Sequence, residues 1–120
     1  MKIRTIAVSA LLMFVSATGY AGNSLSGEQI KEAWAGKTMV WKHMTKSRSG
    51  KSYYSADGSL IGVANGKKRE GKWHIDGNKV CVSWSKCTTV QSDGNGGFYK
   101  VIKGSKKVVH ITAVEEGNTI

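Results

Sequence analysis

The chain contains no proline, only two cysteines, and 8 acidic residues against 18 lysines and arginines over its 120 residues. The lack of proline excludes proline-rich linkers and collagen-like repeats. Glycine, by contrast, occupies 15 positions, about twice its usual share of ~7%, which favours many tight turns. Because 40% of the residues are hydrophobic and 4 are tryptophan, the chain can build a core, which argues against global disorder. The length is typical of one domain.

The first 21 residues have the layout of a secretory signal peptide. Lys2 and Arg4 form a positively charged segment, residues 6–15 form an apolar run, and small residues stand at Gly19 and Ala21. The apolar run is shorter than the ~20 residues that a membrane-spanning helix needs. We therefore expect residues 1–21 to be cleaved on export to the periplasm or the exterior. Loss of two cations leaves 16 against 8 acidic residues, a formal charge of +8.

Cys81 and Cys87 are the only cysteines, and an oxidising compartment permits them to pair. Their spacing suits two neighbouring strands joined by a short loop. A redox or metal-binding pair is the alternative, but the chain has no Cys-x-x-Cys and no histidine at ligand spacing from them. The sequence therefore predicts a structural disulfide, without a metal or another cofactor.

A short helix is predicted at the start of the mature chain. Ser26 and Gln29 match a capping box, in which the side chain of each residue binds the backbone N–H of the other. Ile30 and Trp34 follow at i,i+4 spacing, so they lie on one face of a helix over residues 27–35.

From Lys37 onward the hydrophobic period changes to two, and Asp-Gly or Asn-Gly turns recur between short β-rich runs. Eight strands are predicted, over residues 38–45, 52–55, 60–64, 72–75, 79–83, 87–91, 98–102 and 108–114. The predicted fold is all-β, mainly an antiparallel meander of about eight strands with one short N-terminal helix. Residues 22–120 would form a single β-barrel-like domain, as a small closed barrel or a curved sheet. Because the strands are short, we expect side chains to fill the interior without a roomy lipocalin-type cavity.

Alternate loops of a meander lie at the same end of the sheet, and this separates the charges. One end collects what we call the basic rim: Lys46, Arg48, Lys51, Lys67, Lys68, Arg69, Lys86, Lys103, Lys106 and Lys107. The opposite end collects Asp57, Asp76 and Asp93. Crowded charge of one sign destabilises a compact state, so the basic rim indicates an anion-binding surface. The alternative is that these lysines only keep the protein soluble.

Trp84 lies between the two cysteines, at the predicted basic rim. It can stack on a base or sugar of a bound partner, or it can simply pack over the disulfide hairpin. The sequence leaves both interpretations open.

Catalytic machinery is sparse. His43, His74 and His110 fall on separate predicted strands, and Glu115 and Glu116 point to opposite faces of an extended segment. Nucleophile-elbow, phosphate-loop and zinc-site motifs are all missing from the sequence. We therefore expect a protein that is not an enzyme.

Three segments resemble a group of small exported proteobacterial proteins of unknown function. They are Trp34-Ala-Gly-Lys-Thr, Tyr53-Tyr-Ser-Ala-Asp-Gly, and Glu70-Gly-Lys-Trp-His-Ile-Asp-Gly-Asn-Lys-Val-Cys with Cys87 beyond it. Gly71-Lys-Trp73 is also similar to the Gly-x-Trp of lipocalin-like barrels. The resemblance implies a periplasmic β-protein without an assigned activity.

Three functional hypotheses follow. The first is a binding module whose basic rim contacts an anionic macromolecule or envelope surface: a polyanionic glycan, lipopolysaccharide, nucleic acid or acidic protein. The second is a lipocalin-like carrier or sensor of a small apolar ligand, with Trp41 and Trp73 inside the barrel. The third is an envelope or stress protein without a ligand.

Overall fold

A computed structural model describes residues 24–120, so the predicted signal peptide at residues 1–21 lies outside the described residues. One helix, α1 (Gly27–Trp34), precedes eight strands. The strands are β1 (Lys37–His43), β2 (Ser49–Tyr54), β3 (Ser59–Ala64), β4 (Lys67–Asp76), β5 (Lys79–Val82), β6 (Thr89–Ser92), β7 (Phe98–Ile102) and β8 (Lys106–Glu116). A 3₁₀ turn, Lys103–Ser105, joins the last two. The predicted all-β fold with one short helix is confirmed.

The eight strands form one antiparallel sheet that curls into a nearly closed barrel. Its strand order is β5-β4-β3-β2-β1-β8-β7-β6, so the pairing of β1 with β8 brings the two halves of the meander together. The outer strands β5 and β6 meet at a single bridge, in which Val80 and Thr88 exchange backbone hydrogen bonds of 2.8 and 3.0 Å. The predicted disulfide, Cys81–Cys87, is confirmed and lies at this seam.

Helix α1 closes the end of the barrel that carries the acidic turns. The capping box is confirmed: Ser26 Oγ accepts from the Gln29 N–H, and Gln29 Oε1 accepts from the Ser26 N–H. Ile30 and Trp34 are fully buried, and the Trp34 ring packs edge-on against Tyr54 and Phe98. The helix therefore inserts its apolar face between the strands and forms the closed end of the barrel.

Strand β4 is longer than the sequence predicted, because it begins at Lys67 and not at residue 72. Asn65 and Gly66, with φ of 54° and 76°, form a two-residue turn of the type that requires positive φ at both positions. This turn sets Lys67 directly opposite Ala64, so the basic run continues the ladder. The prediction of a loop over residues 65–70 was wrong for this reason. Strand β2 also begins earlier than predicted, at Ser49 and not at residue 52.

Candidate functional site

The barrel encloses a cavity of about 840 Å³ that opens at the end opposite helix α1. The expectation of an interior filled by side chains was therefore wrong. Large side chains concentrate near the closed end, whereas Ser52, Gly62 and Ala64 line the cavity with small ones. The volume lies within the range of roughly 300–1,000 Å³ that is usual for small-molecule sites.

Apolar and aromatic side chains form one part of the cavity wall, and polar and cationic side chains form the rest. The apolar and aromatic side chains include Met39, Trp41, Tyr54, Trp84, Val109 and Ile111. The indole N–H of Trp41 donates to Ser52 Oγ at 3.2 Å, so the ring is fixed in the wall with its polar atom satisfied. Of the two tryptophans expected inside, Trp41 lines the cavity, while Trp73 lies in the buried core.

The structure brings six of the ten predicted basic-rim residues to the cavity, and we call this set the basic mouth. Its members are Lys46, Arg48, Lys67, Lys68, Arg69 and Lys86. Lys67 and Arg69 stand directly opposite Ala64 and Gly62. Directly opposed residues share a face of a sheet, so these two cations project toward the interior. None of the described residues that line the cavity is acidic.

The other four predicted residues do not line the cavity. Lys51 Nζ binds Glu115 Oε1 at 3.1 Å, and Lys107 Nζ lies 4.9 Å from the centre of the Tyr99 ring. Lys103 and Lys106 are exposed, in the 3₁₀ turn and at the start of β8. The predicted rim of ten is thus divided between the basic mouth and the outside of the barrel.

Trp84 reaches the interior from the loop that the disulfide closes. A Cβ at Gly62 would lie 3.1 Å from the Trp84 ring, and one at Gly71 would lie 2.9 Å from it. Two inward-facing glycines therefore leave the space that the indole occupies. The Arg69 guanidinium carbon stands 4.8 Å from the centre of the same ring. Trp84 therefore packs at the disulfide hairpin and also lines the cavity, whereas its stacking on a bound partner stays a prediction.

Lys100 is a cavity residue that the sequence analysis missed. It lies on β7 opposite Val109, and both residues line the cavity. Its Nζ donates to Tyr54 Oη at 3.0 Å and lies 5.7 Å from the centre of the Trp34 ring. The alternation of Phe98, Lys100 and Ile102 along a predicted strand was the signal that places this lysine on the inner face.

His43 also lines the cavity. Its Nδ1 accepts from the backbone N–H groups of Thr45 and Lys46 at 3.2 and 3.1 Å, which places the ring proton on Nε2. Burial lowers the pKa of His43, and the positive charges of Lys46 and Arg48 lower it further. The histidine therefore favours its neutral form, and lysine and arginine supply the positive charge of the cavity.

Among residues 24–120, no three His, Cys, Asp or Glu side chains cluster in a way that could hold a metal ion. The helix in this part of the chain is too short to cross a bilayer.

No protein-family model, curated protein or solved structure matches this chain. The resemblance to small exported proteobacterial proteins stays a prediction. The function is therefore argued from the site itself.

Proposed function

We propose that this protein is an exported, non-enzymatic binding module that takes an amphipathic anionic ligand into the barrel through the basic mouth. One observation carries the proposal. A cavity of about 840 Å³ combines apolar and aromatic side chains with seven cationic residues, the basic mouth and Lys100, and none of the described residues that line it is acidic.

The charge distribution favours anions for a physical reason. A cleft with low-dielectric walls and charges of one sign concentrates the field, which raises the local concentration of oppositely charged ligands. Arg48 and Arg69 add planar guanidinium groups, which bind carboxylate and phosphate oxygens in pairs. A neutral apolar molecule could contact the apolar part of the walls, but it would bring no negative charge to the cations of the basic mouth.

The direction of the cations separates two kinds of anionic partner. A long polyanion such as nucleic acid needs a strip of outward-facing cations, and Lys68 alone of the basic run at residues 67–69 of β4 alternates to that side. Lys67 and Arg69 lie on the inner face, where they suit a ligand that enters the barrel. An amphipathic anion, either a free small molecule or the anionic part of an envelope lipid, satisfies both the mouth and the walls. Export to the periplasm or the exterior belongs to the proposal and is supported by the signal-peptide layout of residues 1–21 and by the disulfide.

The test compares an anionic and a neutral fluorescent probe of similar size on the purified protein with its disulfide intact. We expect 8-anilinonaphthalene-1-sulfonate to bind and N-phenyl-1-naphthylamine to bind at least about tenfold more weakly, because only the sulfonate meets the cations. The double variant Lys67→Gln/Arg69→Gln should lose about tenfold in affinity for the sulfonate.

The matched control is Lys103→Gln/Lys106→Gln, which removes the same charge outside the cavity. We expect it to change the affinity less than about twofold, since exposed charges are screened. Equal losses in both variants would contradict a cavity site. If heparin bound to the protein and both double variants lowered the affinity for heparin equally, the lysines would instead form a general polyanion-binding surface.

A further inference from the structure

We propose that Lys100 and Tyr54 form an internal anchor for a carboxylate, so that the ligand is an apolar monocarboxylate that enters the barrel head first. This inference rests on the proposed function and assigns the chemical class and orientation of the ligand. It places the anionic group at the depth of the cavity, whereas the basic mouth attracts the ligand on its way in.

Lys100 is a cation without an anionic partner in the described part of the chain. The ion pairs among residues 24–120 are Lys51 with Glu115 and His110 with Asp93, and both lie away from the cavity. Nζ of Lys100 instead faces the Tyr54 hydroxyl and the rings of Trp34 and Tyr54, with Trp34 itself fully buried. Lys100 itself is partly buried, and a charge-assisted hydrogen bond to an anion is stronger than the bond to a neutral hydroxyl that its ammonium now makes. A ligand carboxylate in the cavity would supply that anion.

The hydrogen-bond inventory of the pair also suits a carboxylate. Tyr54 Oη accepts from Lys100, which leaves the phenolic O–H free to donate, and it has no other hydrogen bond with residues 24–120. The Lys100 ammonium carries three N–H donors and uses one of them on Tyr54. The Lys100 ammonium and the Tyr54 hydroxyl can therefore each donate to one oxygen of the same carboxylate.

The cavity above the pair is suited to an apolar body. Met39, Trp41, Val109 and Ile111 line it between the closed end and the basic mouth.

The decisive experiment measures binding of dodecanoate and of uncharged dodecan-1-ol by titration calorimetry. We expect Lys100→Met to lose at least about tenfold in affinity for dodecanoate and to keep its affinity for dodecanol. Lys106→Met is the matched control outside the cavity, and its affinity for dodecanoate should change less than about twofold. Tyr54→Phe should lose a smaller factor, because the lysine charge remains.

Orientation is tested without any change at Lys100, which keeps the inference falsifiable if Lys100→Met does not fold. In head-first binding, the heavy atom of ω-bromododecanoate lies toward the mouth and quenches Trp41 and Trp84, which both line the cavity. Quenching should therefore fall strongly in Trp41→Phe/Trp84→Phe. Persistent quenching in that variant would place the bromine near the buried Trp34 and Trp73 and overturn the proposed orientation.

The two proposals fail in different ways. If neither dodecanoate nor the sulfonate probe binds the unaltered protein, the proposed function itself is wrong, and this inference falls with it. If dodecanoate binds equally well to Lys100→Met but weakly to Lys67→Gln/Arg69→Gln, the function stands. The carboxylate then lies at the mouth, and the internal anchor is refuted.

Discussion

At the closed end of the barrel, the carboxylates of Asp57 and Asp93 are hydrogen-bonded within the fold, whereas at the open end the cations of the basic mouth have no carboxylate partner among the described residues. Asp57 Oδ1 accepts from the Ser59 N–H at 2.9 Å and from its hydroxyl at 2.6 Å. Asp93 accepts from the N–H groups of Asn95 and Gly97, and its second oxygen lies 2.9 Å from His110 Nε2. The acidic groups thus hold their own turns in place.

The aromatic residues differ in the same way. Trp34 at the closed end is 0% exposed and contacts two other rings, while Trp84 at the open end is only partly buried and contacts one guanidinium. Residues that bind a ligand are often placed at a cost in stability. The contrast therefore places the tightly packed part of the fold at the closed end, whereas the open end is the entrance for the ligand in the proposed function.

The largest effect is expected for Trp34→Ala, which removes the aromatic centre of the closed end. Removal of a fully buried tryptophan leaves a cavity and should lower the free energy of unfolding by about 3–5 kcal/mol. Urea denaturation followed by circular dichroism measures this. Trp84→Ala is the control and should lose less than half as much, since that ring is partly exposed. Similar losses in the two variants would remove the distinction between the ends.

The disulfide should have the next largest effect. Replacing Cys81 and Cys87 by alanine frees a loop with a sequence separation of 6 and should cost about 2 kcal/mol of stability in the chain-entropy view. It should also weaken sulfonate-probe binding several-fold at temperatures where the variant is folded, because the loop positions Trp84. Stability lost without any change in probe affinity would show that Trp84 does not belong to the site.

Local signals in the sequence predicted the helix, the disulfide and the order of eight strands. The capping box and the Ile30 and Trp34 spacing act within one helix, and the Asp-Gly and Asn-Gly turns act within one hairpin. The start of β4 could not be predicted in the same way, because residues 67–70 have low β propensity. Pairing with β3 across the Asn65-Gly66 turn holds them in the ladder.

Local patterns in the sequence could not predict the cavity. It depends on which inward positions carry small side chains, such as Gly62, and on the packing of helix α1 at only one end. Both are properties of the closed sheet. The inward position of Lys100, in contrast, could have been predicted, because alternation along β7 places Lys100 on the same face as Phe98.

Acid pH should weaken the closed end first. The hydrogen bonds from Ser59, its side chain first, lower the pKa of Asp57 from 3.8 to about 2. Because the folded pKa lies below the unfolded value, the stabilisation is complete above pH 3.8 and disappears as the pH falls toward 2. Asp57→Asn should therefore be less stable than the unaltered protein at neutral pH, and the difference should vanish near pH 2. Urea midpoints across this range measure it.

Asp76→Asn provides the control at the same end of the barrel, because the Asp76 carboxylate makes no hydrogen bond with residues 24–120. Its stability difference from the unaltered protein should not follow the Asp57 titration. A pH-independent deficit in Asp57→Asn would mean that the turn depends on the shape of the side chain and not on its charge.

The smallest effect on the free energy of unfolding is expected at the open end, where the substitution should stabilise the protein. The cations of the basic mouth repel one another without a bound anion, and such repulsion destabilises the folded state. Lys67→Gln/Lys86→Gln should therefore raise the free energy of unfolding by a few tenths of a kcal/mol at low salt, and the gain should shrink at ~1 M salt, where screening acts over ~3 Å. Lys103→Gln/Lys106→Gln, outside the cavity, should gain less. A loss of stability in the mouth variant would show that these cations support the fold, and the assignment of binding to the open end would lose its energetic basis.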